Sequence, residues 1–168
     1  MTDINIKKVN EDGNTGLAGA VFQLLIKEDG SAYRLVTDSD GIGGLESVAV
    51  GDTTYTAAFR TDGSIKSLTN LPDGEYRLDE VHVPEGYINI WGDIDFKIEN
   101  GTVTSTTAAS SDKVTLDTSG SISLLKIENT PGAALPSTGG PGTRLFTIIG
   151  SILILGAGVL LWRRRRTI

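Results

Sequence analysis

Three polar residues stand where an apolar side chain is expected, and together they carry an amine, an acid and a carboxamide. Ile4, Ile6 and Lys8 share one face of an alternating run, as do Tyr76, Leu78 and Glu80, and Leu125, Ile127 and Asn129. Each polar group continues an apolar row. Burying any of them alone is expensive, a charged one most of all. Burial favours the uncharged forms of an amine and an acid. An uncharged amine is a nucleophile, an uncharged acid can donate a hydrogen bond and relay a proton, and a carboxamide is the electrophile that amide exchange requires. Lys7 falls on the opposite face and reads as solvated. The bland alternatives are an edge-strand lysine at Lys8, a solvated strand residue at Glu80 and a strand-ending turn at Asn129. Asn100 competes with Asn129, because Ile98-Glu99-Asn100 repeats Ile127-Glu128-Asn129, but the following Gly101 favours a hairpin turn.

A second chemical feature is the pentapeptide Leu135-Pro136-Ser137-Thr138-Gly139. Pro136 fixes its own φ and biases Leu135 to an extended shape, lowering the ordering cost of entering an enzyme cleft. Gly139-Gly140-Pro141-Gly142 keeps the segment out of regular structure. Leu145 to Trp162 is then an uncharged run of eighteen residues, which as a helix at ~1.5 Å per residue covers roughly 27 Å, near the hydrocarbon thickness of a bilayer. Arg163 to Arg166 follow, and the positive-inside rule puts them on the cytoplasmic side. The three parts in this order resemble the LPXTG cell-wall sorting signal of Gram-positive surface proteins. That resemblance implies a sortase substrate, held in the membrane before sorting, cut between Thr138 and Gly139, and joined through Thr138 to peptidoglycan or another pilin.

The elements that must position the triad are short alternating runs separated by Gly, Asp and Asn. They are Ile4 to Val9, Ala20 to Lys27, Tyr33 to Val36, Thr54 to Arg60, Tyr76 to His82, Ile94 to Ile98, Val114 to Leu116 and Ile122 to Ile127. Their period and spacing predict an all-β, antiparallel β-sandwich, followed by a linker and a C-terminal transmembrane helix. Residues 104–112 read as a polar loop or ragged edge strand, and residues 129–137 as linker. The domain reading is a pilin-type sandwich over 1–130, a linker over 131–144 containing the motif at 135–139, a transmembrane helix over 145–162 and a basic tail over 163–168.

Composition narrows the function classes. Of the 15 basic residues, five are arginines from Gly139 onward, leaving ten against all 21 acidic residues, a net −11 for residues 1–138. Such an acidic exposed part argues against nucleic acid as a partner. Cysteine is absent, so covalent reinforcement must come from chemistry other than disulfides. His82 is the only histidine, and no nucleophile elbow accompanies it, so an enzyme is not expected. Asp38-Ser39-Asp40-Gly41 is a partial calcium loop lacking further ligands and reads as a turn. Neither metal nor cofactor is expected. Trp91 reads as packing or a loop anchor. Met1 to Asn5 opens on strand alternation without an apolar leader, which suggests a fragment, a C-terminal piece or a misassigned start.

In order along residues 4–130, Ile6-Lys7-Lys8-Val9-Asn10, LAGAVFQL (17–24), LPDGEYRLDE (71–80), VPEGY (83–87) and Ile127-Glu128-Asn129 resemble the collagen-adhesin B-type pilin domain, a SpaA-like, prealbumin-like or inverse Ig-like fold. The run from Glu80 to Tyr87 is the most distinctive piece. The resemblance implies a sandwich that stiffens surface fibres and a spontaneous isopeptide bond from Lys8 to Asn129, assisted by Glu80. It implies a wall-proximal stalk or minor pilin. A shaft pilin of this family would carry a Tyr-Pro-Lys motif, and none of the five prolines precedes lysine. The alternative is an adhesin whose sandwich binds a host ligand directly.

Overall fold

The computed structural model describes residues 1–28, 32–88, 93–105 and 113–132. The compact unit runs from Met1 to Gly132. Its strands, in chain order, are β1 (Thr2–Val9), β2 (Ala18–Lys27), β3 (Tyr33–Leu35), β4 (Glu46–Val50), β5 (Thr53–Asp62), β6 (Lys66–Leu71), β7 (Gly74–His82), β8 (Tyr87–Ile88), β9 (Ile94–Glu99), β10 (Thr102–Ser105), β11 (Val114–Asp117), β12 (Ser123–Glu128) and β13 (Thr130–Pro131). All eight runs read from alternation appear as strands. The smaller sheet has the order β11-β12-β1-β6, and the larger β10-β9-β7-β2-β5-β4, with β3 also paired to β2.

Alternation explains the two layers. Ile4 and Ile6 of β1, Leu68 and Leu71 of β6, and Leu125 and Ile127 of β12 face Phe22 and Leu24 of β2, Tyr76 and Leu78 of β7, and Phe96 and Ile98 of β9 in one buried cluster. Removing these side chains from water drives the sheets together, at roughly 25 cal/mol per Å² of apolar surface. Two stacked ring pairs knit the interior, Phe22 with Phe59 at 5.5 Å between centroids and Tyr76 with Phe96 at 5.2 Å. The Tyr76 hydroxyl is satisfied by donating to the Pro72 carbonyl, 2.7 Å away.

The pairing is antiparallel throughout the described strands with one exception: β1 and β12, the first strand and the last strand of the small sheet, run parallel, with Lys8 opposite Ile127 and Val9 opposite Glu128. Asn100 and Gly101 form the two-residue hairpin between β9 and β10, at φ 51° and 76°, with Glu99 opposite Thr102. Positive φ at both positions is what a type I′ turn demands, and Asn-Gly supplies it at little cost. Asn100 is therefore a turn residue at the surface, out of reach of the interior.

Several elements depart from the sequence reading. Strands β4 and β6 were not legible, and Thr102–Ser105 is a paired edge strand. The expected linker at 129–137 begins instead with β13, paired to β8. Asp38–Asp40 is a 3-10 turn closed by Gly41 at φ 69° and gripped by Arg34, whose guanidinium donates to both Asp40 oxygens at 2.8 Å. The transmembrane helix is corrected: among the described residues no helix is long and apolar enough to cross a membrane. The described chain is strand almost throughout, and an uncharged run specifies hydropathy without specifying a helix. Residues 145–162 lie outside the described residues, as do the pentapeptide 135–139, the tail 163–168 and Trp91.

Candidate functional site

Each member of the triad is placed by its strand. On β1, Ile4, Ile6 and Lys8 all point inward, and the backbone of Lys8 is fixed from the other edge by Leu17 N–H, which donates to the Lys8 carbonyl at 2.9 Å. On β7, Tyr76, Leu78 and Glu80 point inward, and Glu80 lies opposite Phe22 of β2. On β12, Leu125 and Ile127 point inward, and Asn129 follows one step past the strand end, its N–H donating to the Val9 carbonyl at 3.0 Å. The parallel register sets Ile127 beside Lys8, so Asn129 is the next position of the same inward row.

All three side chains are sealed from water: Lys8 is 1 % exposed, Glu80 7 % and Asn129 0 %. Lys8 Nζ lies 3.0 Å from Glu80 Oε1 and 5.2 Å from the centre of the Phe22 ring. The 3.0 Å contact is not an aligned hydrogen bond. Lys8 Nζ, both Glu80 oxygens, and Asn129 Oδ1 and Nδ2 are all buried without a hydrogen-bond partner. Each such group costs about 1 to 3 kcal/mol when left unsatisfied. Burial pushes the Lys8 amine below the ordinary lysine range, and the neighbouring Glu80 opposes that shift without overcoming it. A fully charged pair here would also bear a desolvation penalty that its mutual attraction need not repay.

The arrangement holds an amine and an acid in contact, with a buried carboxamide just past the end of the strand paired to β1, all three sealed from solvent. Among the described residues, no group of three or more His, Cys, Asp or Glu is arranged to hold a metal ion. Sequence reasoning missed Phe22 as the apolar surface under Lys8 Nζ. Its place on the inward row with Ala20 and Leu24 could have shown it. It also missed what the Pro84–Tyr87 segment does. Residues 86–88 hold the chain just beyond Asn129, with Thr130 opposite Ile88, Pro131 opposite Tyr87, and Gly132 N–H donating to the Gly86 carbonyl at 2.8 Å.

Residues 2–113 match the family model described as the SpaA prealbumin-like fold domain, and residues 127–168 match the LPXTG cell wall anchor motif. Among solved structures, the chain is similar to the pilus adhesin RrgA from Streptococcus pneumoniae, at 25 % identity and a TM-score of 0.54, over 80 % of this chain and 16 % of that one. It is also similar to a C-terminal fragment of the pilus adhesin SpaC from Lactobacillus rhamnosus GG (23 % identity, TM-score 0.46, 80 % and 47 % covered). A third is the group B streptococcus pilus 2b backbone protein (23 %, 0.45, 81 % and 43 %). The chain thus spans less than half the length of each of these proteins. No curated protein matches it significantly.

Proposed function

The chain belongs to the family of SpaA prealbumin-like fold domains, and on that premise we propose that its sandwich is a covalently closed, load-bearing stalk or minor pilin module. It is a cell-wall-anchored surface protein and a sortase substrate, of a structural rather than a catalytic family. The proposed staple joins Lys8 to Asn129. The neutral Lys8 amine attacks Cγ of Asn129 while Glu80 hydrogen-bonds to the carboxamide oxygen and relays a proton from Nζ to Nδ2. The Nζ–Cγ bond forms, the Cγ–Nδ2 bond breaks, and one ammonia leaves. The product is a neutral amide, which removes the buried amine and is indifferent to reductants.

One observation carries the reading: five buried polar atoms from Lys8, Glu80 and Asn129 lack hydrogen-bond partners. As separate groups they are a liability of several kcal/mol. Condensation disposes of the amine and turns two of the orphaned groups into one amide. Closing a loop of more than one hundred residues also lowers the entropy of the unfolded chain by an amount worth on the order of 4 to 5 kcal/mol. Tension entering at β1 would cross to the chain after β12 without loading the strands between.

Downstream, sortase cuts between Thr138 and Gly139 and joins Thr138 to peptidoglycan or to another pilin subunit. A second reading, an adhesin that binds a host ligand itself, draws on the likeness to a pilus adhesin. Binding panels with residues 1–134 separate the two. The intact mass of recombinant residues 1–134 tests the staple: it should be lower than the sequence mass by one ammonia, and a full sequence mass after folding sinks the reading.

A further inference from the structure

The geometry points to the Pro84–Ile88 segment as the positioning device that seats Asn129 for reaction, an inference that rests on the proposed staple and explains how its electrophile is held. Pairing between β12 and β1 stops at Glu128 opposite Val9, and the last bond on that side is Asn129 N–H to the Val9 carbonyl. Directly beyond, the chain leaves the small sheet and is gripped by different backbone. Thr130 and Pro131 pair with Ile88 and Tyr87, and Gly132 N–H donates to the Gly86 carbonyl at 2.8 Å.

The gripping segment is itself closed by a turn. Pro84 is buried, the Tyr87 N–H donates back to the Pro84 carbonyl at 3.2 Å, and Gly86 takes φ 86°, a conformation suited to glycine. It begins four residues after Glu80 on the same run of chain. Asn129 is therefore tied on its N-terminal side to the strand that carries Lys8, and on its C-terminal side to the segment that follows the strand carrying Glu80. A residue at a strand end with only one tie can rotate or slip, and a slip of one residue turns its side chain to the opposite face. The second tie removes that freedom, so the carboxamide keeps facing the interior, where Asn129 is fully buried.

The test uses the full chain with Gly132→Pro, which deletes the donor to Gly86 and leaves Lys8, Glu80, Asn129 and Phe22 untouched. Gly132→Ala keeps that N–H and serves as the rescue control. Two readouts separate this inference from the staple itself. In Lys8→Met, which cannot form the bond, hydrogen exchange at the Asn129 amide should accelerate by roughly fivefold to tenfold on adding Gly132→Pro, the weight of about one backbone hydrogen bond. Unchanged exchange overturns the positioning role whether or not the staple exists. Glu80→Gln provides a second unbonded background should Lys8→Met fail to fold. In the otherwise native chain, the rate of ammonia loss after refolding should fall with Gly132→Pro and recover with Gly132→Ala, at unchanged near-UV circular dichroism. An equal rate in both variants overturns the inference, whereas a native chain that never loses ammonia overturns the staple and leaves the exchange result to judge the clamp.

Discussion

Lys8 Nζ and Glu80 Oε1 meet at 3.0 Å inside the sandwich, from strands in opposite sheets, with neither side chain reaching solvent. Opposed groups of this kind make the consequences of single substitutions sharply different from those of ordinary core positions.

If the proposed staple forms, Lys8→Ala, Glu80→Ala and Asn129→Ala should each retain the ammonia that the native chain is expected to lose, whereas Asn100→Ala should lose it normally, because Asn100 sits in the β9–β10 hairpin. Intact mass reads all four. Loss of ammonia in Asn129→Ala would transfer the acceptor role elsewhere. By urea unfolding, Asn129→Ala should be less stable than the native chain by about 4 to 5 kcal/mol, the entropy of the closed loop.

The rate of bond formation should rise with pH and level off below the ordinary lysine value of 10.5, because burial lowers the pKa of the Lys8 amine and only the neutral amine attacks. The unbonded Asn129→Ala chain gives the matching stability effect. A lysine whose folded pKa lies below its unfolded one binds fewer protons when folded, so stability rises as pH climbs from the folded pKa towards 10.5. Replacing Lys8 by Met in that chain should flatten the slope. A pH–stability curve with the same slope in both would remove Lys8 as its source.

Asp12 orders the loop between β1 and β2. Its carboxylate accepts from the Thr15 hydroxyl at 2.6 Å and from the Thr15 and Asn14 amides at 2.7 Å each, and these bonds hold its pKa down to about 2 from 3.8. The contribution to folding is present above 3.8 and is lost as pH falls towards 2. A carboxyl titration followed by NMR should place Asp12 below the ordinary aspartate value of 3.8, and Thr15→Val should move it up.

Thr138→Ala should abolish covalent attachment to the wall, with the mass and fold of residues 1–134 unchanged. Fractionation of wall and supernatant checks this. Wall attachment that persists in Thr138→Ala would move the acyl link away from the pentapeptide.

Inward parity was readable because β1, β7 and β12 are regular up to the reactive residue. Ile4 and Ile6 announce Lys8, Tyr76 and Leu78 announce Glu80, and Leu125 and Ile127 announce Asn129, and all three prove buried. Alternation assigns a side chain to a face but never names the neighbouring strand, so the parallel pairing of β1 with β12 was not visible in the sequence. Strand β6, KSLTNL, presents only Leu68 and Leu71 inward, with a shift of register against β1 between Thr2 and Ile4, and so lacks the strict period that betrays a strand. Strand β13 contains Pro131, which reads as a breaker, yet it pairs because a two-residue ladder needs few of its backbone groups. The membrane-spanning helix was read from the uncharged run, the arginines after it and the sorting-signal resemblance, and among the described residues no helix is long and apolar enough to cross a membrane.

The parallel union of β1 with β12 also imposes an order of events. Strand β1 leaves the ribosome before the other strands of the sandwich, and Asn129 emerges only after β2 to β12 have been made. Contacts this distant in sequence form slowly, since the intervening chain must be gathered before they are rewarded. With the proposed staple, closure of the ring would come last, and a molecule interrupted at any earlier point would remain an open thread that can still be passed through a pore or degraded from its end.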